Sequence, residues 1–333
     1  MPDVKSKFVW PAIGQDRAAA FLEKSLLSGK PAQTYIFSGP SDLGKSTLAL
    51  AFARNLWHLD GGQAEANSNL GGFDSDLFIL EKEAGKKQIS VEQAREFIKR
   101  LGLSSFLNSY KIGIIKEAEL LSKEAQNALL KTLEEPREKV VIMLLVDDVS
   151  HLAPTISSRA QILFFYPVGS DSVYDYLISS LEVKRSVAKE MAMAVLGRPL
   201  QARRWAENPE LYLKKTELVR KLFGFLESDL AGRLALIAEA GSDNSWTVEL
   251  AIEWLDVFES LWRDAMLLAL GQEDRMQYPA LLDRWRKFMA LNGEEMSSLR
   301  QTLSNLKQVQ RARDYINGSV NPKNVLESLA IYF

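Results

Sequence analysis

Short all-apolar runs alternate with stretches of helical periodicity along the first half of the chain. After Gln15 an amphipathic run continues through Leu26 and meets a helix stop near Gly29. Tyr35-Ile36-Phe37 reads as a short buried strand. Thr47 to Trp57 reads as a helix, with Leu48, Leu50, Ala51, Ala53 and Leu56 apolar. Leu77 to Leu80 is a second strand. Ser90 and Gln93 form a capping box for a helix running to about Leu103. Ile112 to Ile115 is a third strand. Ser122 to Glu135 is helical, with Ala125, Ala128, Leu129, Thr132 and Leu133 on one face and Pro136 as its stop. Val140 to Val146 is almost wholly apolar, as expected of a strand covered on both faces. Ile162 to Phe165 is a short fifth strand. Strands separated by helices at this spacing predict an α/β domain with a parallel sheet.

From about Pro167 the strand-like runs end and helical periodicity takes over. Val173 to Leu196 predicts two short helices closed by Gly197-Arg198-Pro199, and beyond Pro209 the pattern is that of a helical bundle. Trp246 to Leu270 is a long helix ended by Gly271. Its stripe of Trp254, Phe258, Leu261, Trp262 and Ala265 could stack nucleic-acid bases, but this spacing favours a packed helical core.

A length of 333 residues is more than one small core needs, and two or three domains are expected. Net charge is −2, which argues against a free-standing DNA binder held by a basic surface. There is no cysteine, so disulfides, thiol catalysis and zinc–thiolate sites are excluded, in keeping with a reducing cytoplasm. His58 and His151 are the two histidines, too few to suggest a His-based centre. No apolar run reaches membrane-span length, and MPDVKSKFVW lacks the apolar core of a signal peptide.

The run Gly39-Pro40-Ser41-Asp42-Leu43-Gly44-Lys45-Ser46 fits the phosphate-binding pattern G-x-x-x-x-G-K-[ST]. Such a loop aims backbone N–H groups at phosphate oxygens. A lysine serves the β/γ oxygens and a hydroxyl serves Mg²⁺. Lys45 and Ser46 fill those places, with Thr47 beside them. A strand before the loop and a helix after it complete an anion site.

Further strings carry a family resemblance. These are Ile13-Gly14-Gln15, Ile89-Ser90-Val91-Glu92-Gln93-Ala94-Arg95, Asn127-Ala128-Leu129-Leu130-Lys131-Thr132-Leu133-Glu134-Glu135-Pro136, and Pro154-Thr155-Ile156-Ser157-Ser158-Arg159. In this order and spacing the chain resembles the AAA+ subunits of the bacterial sliding-clamp loaders of DNA polymerase III, and among them the delta-prime branch. The resemblance is dense from about Phe8 to Phe165 and diffuse beyond. It implies a P-loop (AAA+) core over residues 1–166, a small helical lid over 167–208 and an all-α collar over 209–333 that assembles five subunits into an open ring. It also implies a cytoplasmic location and assembly with gamma/tau-type motor subunits and a delta subunit. Through the assembled complex it implies action on the sliding clamp and primed DNA.

Four departures from the family pattern set the subtype. Where motor subunits carry an Asp-Glu-Ala-Asp-like metal motif, this chain reads Lys116-Glu117-Ala118-Glu119. An ammonium repels a cation and cannot ligate it. Asp42 stands where a glycine is usual, placing a carboxylate beside the phosphate cradle. Motor subunits and many relatives carry a four-cysteine zinc module after the P-loop helix. The corresponding stretch here, Asp60 to Gly72, is a polar, Gly-rich, cysteine-free loop, so no zinc is expected. Ala160 follows the serine–arginine pair where the family has cysteine, a change of little consequence because the arginine carries the chemistry.

By the resemblance, Arg159 faces a neighbouring subunit's ATP as an arginine finger in trans. An ever-charged guanidinium forks onto phosphate oxygens, and such fingers are worth about 10³–10⁵ in rate. Arg198 lies where a lid arginine contacts nucleotide in active relatives, and an ordinary turn residue fits there equally well. Glu117 aligns with the water-polarising glutamate of motor subunits. Ser90, Arg95, Lys99 and Arg100 share one helix that could meet a DNA backbone, although a solvated charged face is the simpler reading. Gly39, Gly44, Lys45, Ser46, Thr47 and Arg198 thus outline a degenerate nucleotide site. The implied subunit is a stator that binds ATP weakly or not at all, needs Mg²⁺ only if ATP binds, and lacks independent ATPase activity. The alternatives are an ATP-hydrolysing motor subunit and an independent AAA+ helicase or remodeller.

Overall fold

The computed structural model describes residues 8–11, 13–59, 76–103, 110–134, 137–241, 246–297 and 299–333. The expected loop from Asp60 to Gly72 and the helix stop at Pro136 lie outside these residues. By its contacts the chain divides into two compact units. One comprises the N-terminal part through Tyr176 together with Gly197–Gln201. The other comprises Leu177–Leu196 and Ala202–Phe333.

The first unit begins with α1 (Asp16–Leu27), β1 (Thr34–Ser38) and α2 (Lys45–Leu59). It continues through β2 (Leu77–Leu80), α3 (Val91–Leu101), β3 (Lys111–Ile115), α4 (Lys123–Glu134) and β4 (Val140–Val146). It ends with the single turn α5 (Pro154–Ser157), β5 (Gln161–Phe164) and most of α6 (Ser170–Ser179). All five strands are parallel, in the order β2-β3-β4-β1-β5.

The apolar run Val140–Val146 forms the central strand and is buried at every position. Alternation sends its side chains to opposite faces. Val141, Met143 and Leu145 join Tyr35, Phe37, Leu48 and Phe52 in one core. Val140, Ile142, Leu144 and Val146 join Ile36, Phe97, Leu129 and Ile156 in the other. The two cores explain why this strand has no polar face. Gly113 of β3 reflects the close seat of α3 on the sheet, since a Cβ there would come within 2.5 Å of the Phe97 ring.

The capping box at Ser90 and Gln93 is present in both directions. The helix after it closes at Leu101 rather than Leu103, where the Gly102 N–H turns back to Ile98. The P-loop helix starts two residues before the expected Thr47, because Gly44 supplies the carbonyl for the first helical bond, from Leu48 N–H at 2.9 Å.

The second unit is all-α. It contains α7 (Arg185–Ala194), α8 (Pro199–Glu207, from Ala202 onward), α9 (Pro209–Glu227), α10 (Leu230–Ala240), α11 (Val248–Ala269), α12 (Leu282–Ser297), α13 (Leu299–Asn317) and α14 (Pro322–Tyr332). The aromatic stripe of α11 is core, as its spacing favours. Trp254, Phe258, Leu261, Trp262 and Ala265 are all buried. Trp254 meets Trp246 edge-on at 4.8 Å, and Trp262 packs on Trp285 at 5.8 Å. No helix of the described residues is long and apolar enough to cross a membrane.

Candidate functional site

Strand register brings the candidate residues to one end of the sheet. Ser38, the last residue of β1, pairs with Val146 of β4 and with Phe164 of β5. Gly39 and Asp147 therefore leave the sheet side by side. Lys116 leaves it from the end of β3, where its N–H still bonds the Leu80 carbonyl at 2.9 Å. The carboxyl ends of parallel strands are where α/β sheets bind ligands. Gly39 turns the chain with φ 153°, and a Cβ there would lie 2.4 Å from the Phe165 carbonyl oxygen. Only glycine fits that position.

A cavity of about 380 Å³ opens at this end. Ser41, Asp42, Gly44, Lys45 and Ser46 of the loop line it, with Glu81, Lys82, Lys116, Glu117, Glu119, Leu145, Asp147 and Leu200. The structure thus brings Gly44, Lys45 and Ser46 together with Lys116 and Glu117. Gly39 contributes through its carbonyl. Thr47 and Arg198 are not part of this lining. The Arg198 carbonyl instead accepts the Gln201 N–H, and the next turn places Leu200 N–H on the Asp42 carbonyl at 3.2 Å.

Five carboxylates face three ammonium groups in this cavity. Lys45 is nearly buried, and its ammonium donates to the Gly39 carbonyl, to the Val146 carbonyl at 2.8 Å and to Asp147 Oδ1 at 2.7 Å. Lys116 Nζ donates to Glu81 Oε2 at 2.8 Å. Asp42 lines the cavity in the left-handed region, φ 64°, which explains why glycine is the easier residue there. Glu117 is also left-handed, φ 48°, at the start of a short turn. Burial, followed by the negative field of Asp147, pushes the Glu119 carboxyl above the ordinary carboxylate range. Its Oε2 is buried without a hydrogen-bond partner among the described residues.

This lining does not fit a Mg²⁺–triphosphate as it stands. Lys116, which the family resemblance sets at the cation position, presents an ammonium already paired with Glu81, and the Lys45 ammonium is already neutralised by Asp147. The acidic excess also opposes a polyanion. Asp147, Glu119 and Glu81 were not singled out from the sequence. Asp147-Asp148 directly after an all-apolar strand was the available signal, because polar residues at a strand's carboxyl end line such crevices.

Arg159 lies elsewhere on the first unit, exposed between α5 and β5 and outside the lining of the chain's own cavity. Its guanidinium donates to the Thr155 carbonyl at 2.9 Å and to Ser158 Oγ at 3.3 Å, and it pairs with Glu134 Oε1 at 2.9 Å. Glu134 closes α4, the helix carrying the Asn127 to Glu134 string. That string and the serine–arginine string therefore meet in one ion pair. On α3, Arg95, Lys99 and Arg100 are exposed, and Arg100 pairs with Glu96 one turn away at 2.5 Å.

The sequence family described as DNA polymerase III, delta subunit, matches residues 14–169, within the P-loop unit. The chain is 25% identical to the DNA polymerase III subunit delta' of Bacillus subtilis (strain 168), over 95% of each protein. It is 30% identical to the DNA polymerase III subunit delta' of Pseudomonas aeruginosa PAO1, over 67% of this chain and 69% of that protein. A solved gamma-subunit-related DNA polymerase III protein of Thermotoga maritima is similar over 95% of this chain and 97% of its own. Its identity is 20% and its TM-score 0.47. With a parallel P-loop sheet, a C-terminal helical region and this level of identity across both, the chain belongs to the DNA polymerase III delta-prime family.

Proposed function

We propose that this chain is a stator subunit of a bacterial sliding-clamp loader, which hydrolyses no ATP itself and lends Arg159 to the ATP site of a neighbouring motor subunit. The observation that carries the reading is a contrast between two edges of the P-loop unit. At the chain's own cavity the metal-acid position is Lys116, paired with Glu81, and Lys45 is held by Asp147. Outside it, Arg159 is exposed and steered by Glu134, with its side chain about one-third accessible. A guanidinium useless to its own site and presented to solvent suits a charge that develops on a partner's transferring phosphoryl group.

The partners this implies are gamma/tau-type motor subunits and a delta subunit, with the sliding clamp and primed DNA engaged through the whole assembly. The test is DNA-stimulated ATP turnover by the motor subunits of a reconstituted complex, with this chain intact or carrying Arg159→Ala.

The competing reading is a motor subunit. It is favoured by the intact Gly44-Lys45-Ser46 and by Glu117 in the cavity lining. The two differ over Lys116. As a stator, the chain's residual nucleotide binding is insensitive to chelator, and Lys116→Asp introduces Mg²⁺ dependence. A strict Mg²⁺ requirement in the unaltered chain supports the motor reading instead.

A further inference from the structure

We propose that Asp147 is an internal anion that occupies the P-loop lysine, and that it decides how poorly this cavity takes a nucleoside triphosphate. The inference rests on reading the cavity as a degenerate nucleotide site and adds the residue that keeps it so. An ammonium has three N–H donors. The Gly39 carbonyl, the Val146 carbonyl and Asp147 Oδ1 take all three from Lys45. None is left for a β or γ oxygen. Asp147 alone of the three carries charge, so it alone both satisfies and neutralises the ammonium.

The position of Asp147 is fixed by the sheet. The register of Ser38 with Val146 makes Asp147 leave β4 one residue after the pair that launches the phosphate loop, so its carboxylate reaches the loop's lysine. Lys45 is only 11% exposed at the side chain, whereas Asp147 is 54% exposed. The carboxylate can therefore swing to solvent while the lysine stays. Triphosphate and Asp147 compete for one ammonium, and the site is weakened without being sealed. Glu119, whose buried oxygen lacks a hydrogen-bond partner among the described residues and whose carboxyl feels the charges of Asp147 and Lys45, adds to the repulsion of a polyanion at the same place.

The measurement is equilibrium binding of ATP and of inorganic tripolyphosphate to the isolated full-length chain, with chelator present. Asp147→Asn keeps the shape and removes the charge. It is expected to bind both probes about fivefold tighter or more, from the released ion pair and the lost repulsion. Asp147→Glu keeps the charge and is expected to bind as the unaltered chain does. Adding Lys45→Ala to Asp147→Asn is expected to abolish the gain. Equal binding by Asp147→Asn and the unaltered chain overturns the proposal. So does a gain that survives Lys45→Ala, since it would reflect net charge alone. Asp147→Ser is the second neutral variant should Asp147→Asn not fold. Binding to the isolated chain is independent of motor turnover, so a failed Arg159 test leaves this result readable. The converse also holds.

Discussion

Asp264 of α11 is fully buried, yet both its oxygens are used: Gln277 N–H donates to Oδ1 at 2.7 Å and Tyr278 N–H to Oδ2 at 2.8 Å. Arg263 stands off at 3.8 Å. The carboxyl thus fixes the backbone before α12, from which Gln277 Nε2 reaches the Ala194 carbonyl at 2.5 Å. Burial raises its pKa from 3.8 to about 6, ahead of the two N–H bonds that favour the charged form. The folded state therefore holds this proton more tightly than the unfolded chain. Its contribution to stability is complete below about pH 4 and is lost as pH rises through about 6. The shift of roughly two units corresponds to about 3 kcal/mol.

Asp264→Asn tests this balance. Asparagine carries no charge and does not titrate, but its amide edge cannot accept the second of the two backbone N–H bonds. Relative to the unaltered chain, the variant is expected to gain about 3 kcal/mol between pH 4 and pH 7.5, beside a pH-independent cost of about 1–3 kcal/mol for the N–H left without an acceptor. Urea unfolding at several pH values, followed by fluorescence of the buried Trp254, Trp262 and Trp285, reads the difference. A stability difference that stays the same across this pH range is the contradicting result. It would mean that the two N–H bonds and Arg263 outweigh burial and keep Asp264 ionised throughout.

Other predictions follow from the P-loop unit. Gly39→Ala should destabilise it by roughly 1–3 kcal/mol, because the added methyl meets the Phe165 carbonyl at a backbone angle foreign to alanine; a thermal melt equal to that of the unaltered chain would contradict this. Glu134→Gln should change motor turnover in the assembled complex by no more than about fivefold, because an exposed ion pair is worth about 0–1 kcal/mol. A loss as deep as that of Arg159→Ala would make Glu134 part of the chemistry. Lys116→Asp should confer chelator-sensitive nucleotide binding on the isolated chain, and unchanged binding would remove Lys116 as the reason for metal independence.

The sheet was legible because its signals are local. A seven-residue apolar run rich in valine and isoleucine is too short for a buried helix and reads as a strand covered twice, and a capping box marks its helix wherever the chain goes. Gly39, Lys45 and Ser46 were legible because phosphate chemistry fixes their spacing. What the cavity does with them was not, since it depends on residues more than thirty positions apart. Glu81 reaches Lys116 because β2 and β3 are neighbours in register, and Asp147 reaches Lys45 because β1 and β4 are. Strand order, which no single segment encodes, creates both pairs. The Glu134–Arg159 pair is similar: both strings were recognised in the sequence, but their meeting depends on how α4 and α5 pack. Arg198 and Thr47 were drawn into the site by analogy of position, and neither lines the cavity.

Whether Arg159 acts in trans is read from ATP turnover by the motor subunits of a reconstituted clamp loader on primed DNA, comparing the unaltered chain with Arg159→Ala and checking assembly by mass. A stator that donates its arginine predicts turnover at the neighbouring site falling by about 10³-fold or more with the complex intact. Unchanged turnover in an intact complex would rule out the trans finger and leave Arg159 as a surface residue held by Glu134.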